Sequence, residues 1–207
     1  MRLSVLLVIV VLVAGCGAQA ATKPTPTPKA AAVAQYHHPP PMTINRSWHY
    51  TATIVTTDGT FRIELLPRVA PLAVNSFVFL AKHHFYNGLI FHRIIRGFVI
   101  QTGDPTGTGF GGPGYHFATE PVHMPYTWGT VALANSGPNT NGSQFFIVTG
   151  KRIKLAPNYT IFGKVIAGRA TINRLDKTAV MLNPGTNEFS EPVHPPKMES
   201  VSISVTR

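Results

Sequence analysis

Phe91-His92-Arg93-Ile94-Ile95-Arg96-Gly97-Phe98-Val99-Ile100-Gln101-Thr102-Gly103-Asp104 carries most of what this chain says about its fold. Residues 88–101 are dense in β-branched and aromatic side chains and read as strand. They lead into a Gly- and Pro-rich excursion over residues 103–129, after which strand-like runs resume at 130–133, 144–149, 159–166 and 201–206. On the N-terminal side, residues 50–56 and 60–66 flank Asp58-Gly59, a strong hairpin signal for a tight primed turn. Pro71 then opens a stretch to about His84 with Leu72, Val74, Phe77, Val78 and Leu80 at the spacing of one amphipathic helix. Residues 169–178 suit a second, short helix. Many strands, two helices and no strand–helix alternation predict an all-β-dominated fold, an antiparallel barrel or sandwich.

Composition narrows the chemistry. The 207 residues are 44% hydrophobic and only 13% charged, with 18 Gly and 18 Pro, so turns prevail over long helices. The single cysteine excludes an intramolecular disulfide and any zinc site built on several cysteines. Gly107-Thr108-Gly109-Phe110-Gly111-Gly112 satisfies the dinucleotide pattern, but Pro113-Gly114 follows where a helix N-terminus must receive the pyrophosphate, so the match is accidental. No nucleophile elbow, carboxylate pair or metal-ligand spacing stands out, and His83-His84 read as surface and helix-end residues. An enzyme on this chain uses neither a covalent nucleophile nor a metal, and no cofactor is expected.

The net charge is +10. Residues 47–207 hold fourteen Lys and Arg against eight Asp and Glu, a net +6, scattered except at Lys151, Arg152 and Lys154. No aromatic residues interleave them as a stacking platform, so nucleic acid is not an expected partner. At the N-terminus, Arg2, the apolar run Leu3–Val13 and the small residues Ala14 and Gly15 describe a signal peptide too short to be a comfortable membrane span. Val13-Ala14-Gly15-Cys16 resembles the bacterial lipobox. The expected organisation is a lipoprotein signal peptide over 1–15, a lipidated Cys16 with a Pro/Ala/Thr-rich tether over 16–46, and a folded domain over 47–207. The expected location is the extracytoplasmic face of a bacterial membrane.

Three segments resemble one family. Phe91–Asp104 resembles the active-site strand of the cyclophilins. Ala134-Asn135-Ser136-Gly137-Pro138-Asn139-Thr140-Asn141-Gly142-Ser143-Gln144-Phe145-Phe146 resembles the family's second signature, and Asn158–Val165 matches a third. The resemblance runs from about Tyr50 to the C-terminus. It implies a closed eight-stranded antiparallel β-barrel capped by two α-helices, and peptidyl-prolyl cis-trans isomerase activity on X-Pro bonds of exported or envelope proteins. The alternative is a non-catalytic proline-peptide-binding scaffold or holdase using the same groove.

The same resemblance makes Arg93 the catalytic group. Phe98, Val99, Phe146 and Leu155 would line the proline pocket with Tyr159 at its edge, and Gln101 and Asn135 would hydrogen-bond the substrate backbone. Ala134, Ser136 and Gln144 would shape the neighbouring groove, and Gly109 the loop beside it. His92, next to Arg93 on a strand, is expected to face the other way as a satisfied core histidine. Several positions depart from the common family pattern: Val99 replaces methionine, Ser136 alanine, Arg96 proline and Tyr159 histidine. Lys154 stands where eukaryotic members carry the tryptophan that binds cyclosporin, which predicts weak cyclosporin binding. The protein is expected to be a monomer. Residues 181–196 match nothing and read as a surface loop.

Overall fold

A computed structural model describes residues 35–207. The signal peptide, Cys16 and the tether up to residue 34 lie outside the described residues. Alternating burial along β1 (His49–Thr56) and β2 (Gly59–Leu65) turns Tyr50, Ala52, Ile54, Phe61, Ile63 and Leu65 inward, as the period-2 pattern requires. Their connection differs by one residue from the sequence expectation. Thr57 and Asp58 form the turn without positive φ, and Gly59 takes φ +120° at the start of β2. The Thr56 hydroxyl donates to the Gly59 carbonyl at 2.7 Å and accepts from the Asp58 N–H at 3.2 Å, closing the turn. A Cβ there would also stand 2.6 Å from an Arg174 guanidinium nitrogen, which would have to move aside.

Helix α1 (Pro71–Lys82) starts with proline in its first turn and buries Val74, Phe77, Val78 and Leu80, while Leu72 is left exposed. His83 caps it, and His84 follows with φ +57°. Then come β3 (Arg93–Ile95), β4 (Val99–Thr102), β5 (Thr130–Leu133), β6 (Phe145–Val148), β7 (Ile161–Ala167) and α2 (Arg169–Asp176). The chain ends with β8 (Val180–Asn183), β9 (Glu188–Pro192) and β10 (Met198–Thr206). Eight strands form one antiparallel sheet in the order β10-β1-β2-β7-β5-β6-β4-β3, and among the described residues β8 and β9 pair only with each other. Residues 181–196 therefore contain a hairpin rather than an irregular loop.

The expected closed barrel is not formed: the sheet is a strongly curled, open half-barrel with β3 and β10 as its edges. The gap between them is tied by single bonds. Gly88 N–H donates to Met198 O (2.6 Å), Phe91 N–H to Pro196 O (2.9 Å) and Met198 N–H to Leu89 O (2.8 Å). A continuous ladder cannot run there because Pro195 and Pro196 have no N–H to donate.

Alternation along the sheet separates two apolar clusters. Phe77 of α1 packs on Tyr86, Phe145 and Phe162 with ring centroids 5.0, 5.6 and 5.3 Å away, at the centre of the main core with Ile100, Val131 and Leu133. Their neighbours Val99, Ala132 and Phe146 belong to a second cluster with Tyr126, Val148 and Ile161. Residues 35–46, read from sequence as tether, lie against the domain. Ile44 is buried in the main core, and Tyr36 N–H bonds to Pro113 O at 2.7 Å. The buried Asn75 side chain accepts from the Thr43 N–H at 2.9 Å and donates to the Pro40 and Pro41 carbonyls. An apolar side chain with a buried amide to bond made this stretch part of the fold.

Candidate active site

Strand register builds the site. Arg93 on β3 stands opposite Gln101 on β4, Gln101 opposite Phe146 on β6, Phe146 opposite Ala132 on β5, and Ala132 opposite Ile161 on β7. Residues directly opposite in antiparallel strands point to the same face. One row therefore runs from a guanidinium through a carboxamide to an apolar floor. Arg93, Phe98, Val99, Gln101, Ala134, Asn135, Phe146, Leu155 and Tyr159 surround a single cavity of about 410 Å³. The Tyr159 ring meets Phe146 edge-on at 5.6 Å, and the Tyr126 hydroxyl fixes the backbone of Tyr159 through bonds of 2.9 and 3.2 Å. Gly109, Ser136 and Gln144 line an adjoining cavity of about 140 Å³ that shares Gln101, Ala134 and Asn135 with the first. Every domain residue assigned to catalysis or substrate binding thus lines one of these two neighbouring cavities, whereas Cys16 lies outside the described residues.

The polar groups are tied into a chain. An Arg93 Nη1–H donates to Gln101 Oε1 (3.3 Å), Gln101 Nε2 donates to Gln144 Oε1 (2.9 Å), and Gln144 Nε2 donates to the carbonyls of Gly109 and Gly111 (2.9 Å each). The buried Asp104 carboxylate holds the same loop from beneath, accepting from the backbone of Thr106, Gly109 and Gly111 and from the Thr106 hydroxyl. Burial pushes the Asp104 carboxyl up, but those hydrogen bonds outweigh it and hold its pKa below the usual carboxylate range. Gly109, with φ +89°, gives the loop the conformation this requires. The glycine pattern thus shapes a cavity wall around a carboxylate.

Two side chains expected to reach a ligand are engaged internally. Both ends of the Gln101 carboxamide are bonded. Asn135 donates to the Asn158 carbonyl (2.8 Å) and Asn141 Oδ1 (3.3 Å) and accepts from the Gly137 N–H (3.3 Å). His92 also departs from expectation. It is buried, but neither ring nitrogen has a hydrogen-bond partner among the described residues. Burial lowers its pKa and so favours the neutral ring; Asp104 opposes that shift and the Arg93 charge adds to it. The ring lines a further cavity between the glycine loop and the β8–β9 hairpin.

Sequence reasoning missed one residue at the site. Glu188, the first residue of β9, grips Arg93 bidentately: Arg93 Nε–H donates to Oε2 at 2.8 Å and Nη2–H to Oε1 at 3.1 Å. Its hydrogen bonds from Arg93 hold the Glu188 carboxyl below the usual range, against the upward pull of partial burial. The available signal was Asn183-Pro184-Gly185-Thr186-Asn187, a sequence of turn-forming residues.

Comparison with known proteins agrees with this geometry. The family model described as cyclophilin type peptidyl-prolyl cis-trans isomerase matches residues 51–203. Peptidyl-prolyl cis-trans isomerase A of Mycobacterium tuberculosis is 42% identical over 176 residues, covering 74% of this chain and 92% of that protein. Human peptidyl-prolyl cis-trans isomerase-like 3 is 46% identical over 137 residues, covering 63% and 84%. A crystal structure of a cyclophilin type isomerase of Cryptosporidium parvum superposes with TM-score 0.69 at 34% identity, over 77% of this chain and 99% of that one. The same protein in the presence of the dipeptide Ala-Pro gives TM-score 0.68 at 35% identity, over 74% and 98%. With the family matched across most of its length and the sheet, loop and groove in place, the chain belongs to the cyclophilin-type family and is a peptidyl-prolyl cis-trans isomerase.

Proposed function

We propose that the cavity between Arg93 and Tyr159 seats the proline of an X-Pro segment and that Arg93 catalyses its rotation. The observation that carries this reading is the guanidinium on the wall of a cavity otherwise lined largely by apolar side chains, Phe98, Val99, Phe146 and Leu155 among them. Rotating an amide requires loss of conjugation across a barrier of ~18–20 kcal/mol. No bond breaks, so the site need only bind the twisted amide better than either planar form. In the twisted state the proline nitrogen regains a lone pair that a guanidinium N–H can meet. One charge-assisted hydrogen bond made only there contributes ~1.5–3 kcal/mol. Arginine stays charged at any working pH. Gln101 braces Arg93 and pins the glycine loop through Gln144. With the Asn135 side chain engaged, its backbone is left to bond the substrate chain.

The clients we infer are exported or envelope proteins met at a membrane surface to which Cys16 is lipidated. The N-terminal sequence supports that reading, and the Ala-Pro dipeptide studied with the Cryptosporidium relative supports a proline ligand. Lys154, exposed beside Leu155, offers no indole, which favours weak cyclosporin binding. Titrating a proline peptide while following amide resonances tests the site: shifts should centre on residues 98–101, 134–135 and 146, and shifts centred elsewhere contradict it. Radiolabelled palmitate should enter the parent and not Cys16→Ser; equal labelling removes the anchor from the account.

A further inference from the structure

We propose that Glu188 is a positioning residue for the isomerase reaction, its carboxylate holding the Arg93 guanidinium in one plane against the proline cavity. This rests on the role given above to Arg93 and extends it to a hairpin without a motif of its own.

A guanidinium carries five N–H donors in a fixed plane at the end of a flexible stem. Glu188 takes the Nε hydrogen and one on Nη2, and Gln101 takes one on Nη1, which leaves one hydrogen on each terminal nitrogen for a ligand. The carboxylate therefore fixes the plane without consuming the whole group. The two braces come from different elements. Gln101 is locked through Gln144 to the glycine loop, whereas Glu188 arrives on a separate two-stranded sheet. Together the two braces hold the guanidinium against rotation about its stem.

The hairpin is built to deliver this carboxylate. Asn183 Oδ1 accepts from the N–H of Gly185 (2.8 Å) and of Thr186 (3.3 Å), and the Asn187 N–H bonds to the Asn183 carbonyl at 2.8 Å. Asn187 takes φ +56°, a region asparagine tolerates better than most residues, and Glu188 follows opposite Asn183 in the register. Beyond it, Ser190 and Pro192 are buried, and Val193 N–H bonds to Ala179 O at 2.9 Å, anchoring the base of the hairpin. Strand β9 lies beside β3, which carries Arg93. Arg93 and Glu188 are 31% and 35% exposed, so the pair remains open to solvent on one side and the expected effect is modest.

The test compares the full-length parent with Glu188→Ala, Glu188→Gln and Arg93→Ala by cis-trans exchange of an Ala-Pro peptide, resolving kcat and KM. A second readout is the Arg93 Nε–H nuclear magnetic resonance signal, assigned by its loss in Arg93→Ala. Glu188→Ala should lower kcat about fivefold with KM changed less than about twofold. Glu188→Gln, which keeps one acceptor oxygen, should fall between. The Nε–H signal should exchange faster with water in Glu188→Ala than in the parent, with Glu188→Gln between them because its side chain still offers the Nε–H an acceptor. Unchanged or faster turnover in Glu188→Ala beside an impaired Arg93→Ala overturns the proposal and leaves the site reading intact. Full turnover in Arg93→Ala removes the site reading and the proposal with it.

Discussion

Arg93 and Asp104 divide the work at the scale of single residues. One presents donors to the cavity, and the other holds the loop that forms its neighbour. Asp104 makes this separable by pH. Its carboxyl titrates below the usual range in the folded protein, so its stabilising contribution is complete above the unfolded value, about 3.9, and is lost as pH falls through the lower folded value. Asp104→Asn should cost about 2 kcal/mol at pH 7, and the deficit should shrink below about pH 4; denaturant titrations at pH 7, 4 and 3 measure it. A deficit that stays constant with pH would mean the charge is not what holds the loop. At this scale the sequence was informative about which side chains share the site, because Arg93, Gln101, Asn135 and Phe146 sit in ordered motifs. It was silent about their partners. That both ends of Gln101 are engaged, and that Glu188 lies 95 residues from the arginine it grips, depends on the folded chain.

Elements show a similar division. The strands and helices that carry apolar alternation were legible to within a few residues, since burial on one face imposes its period on the sequence. The β8–β9 pair was not, because it covers little core: Met181, Leu182 and Phe189 are exposed. Helix α1 adds a contact no local pattern reveals. Ala70 provides no side-chain cap, and Glu120, 48 residues away, accepts from the Leu72 and Ala73 N–H groups at 2.9 Å each. Burial raises the Glu120 pKa despite those bonds, so this cap is strained by its own desolvation. Glu120→Ala should destabilise the protein by about 1–2 kcal/mol, measured by chemical unfolding, with Glu120→Gln costing less. An Ala variant as stable as the parent would show that the helix start needs no external cap.

Across the whole molecule, the open sheet leaves its closure to tertiary contacts. Residues 35–46 add another, crossing α1 where Ile44 enters the core and Asn75 is bonded. They were read together with the stretch before them because prolines punctuate both and Ile44 stands without an apolar period around it. A chain beginning at residue 47 should be less stable than one beginning at 35 by about 2–3 kcal/mol, the burial of one isoleucine with some loss of bonds to Asn75. Thermal unfolding should register this as a fall of about 4–10 °C. Equal melting temperatures would return the segment to the tether.

Whether Arg93 turns the bond is decided by the rate of cis-trans exchange on a short Ala-Pro peptide, measured for the parent and for Arg93→Ala at equal concentration. Fast exchange is expected of the parent and a loss of at least about tenfold in the variant, the equivalent of about 1.4 kcal/mol of stabilisation reserved for the twisted amide. Equal rates for the two proteins would contradict a catalytic Arg93, because the groove would then turn the bond without the guanidinium on its wall.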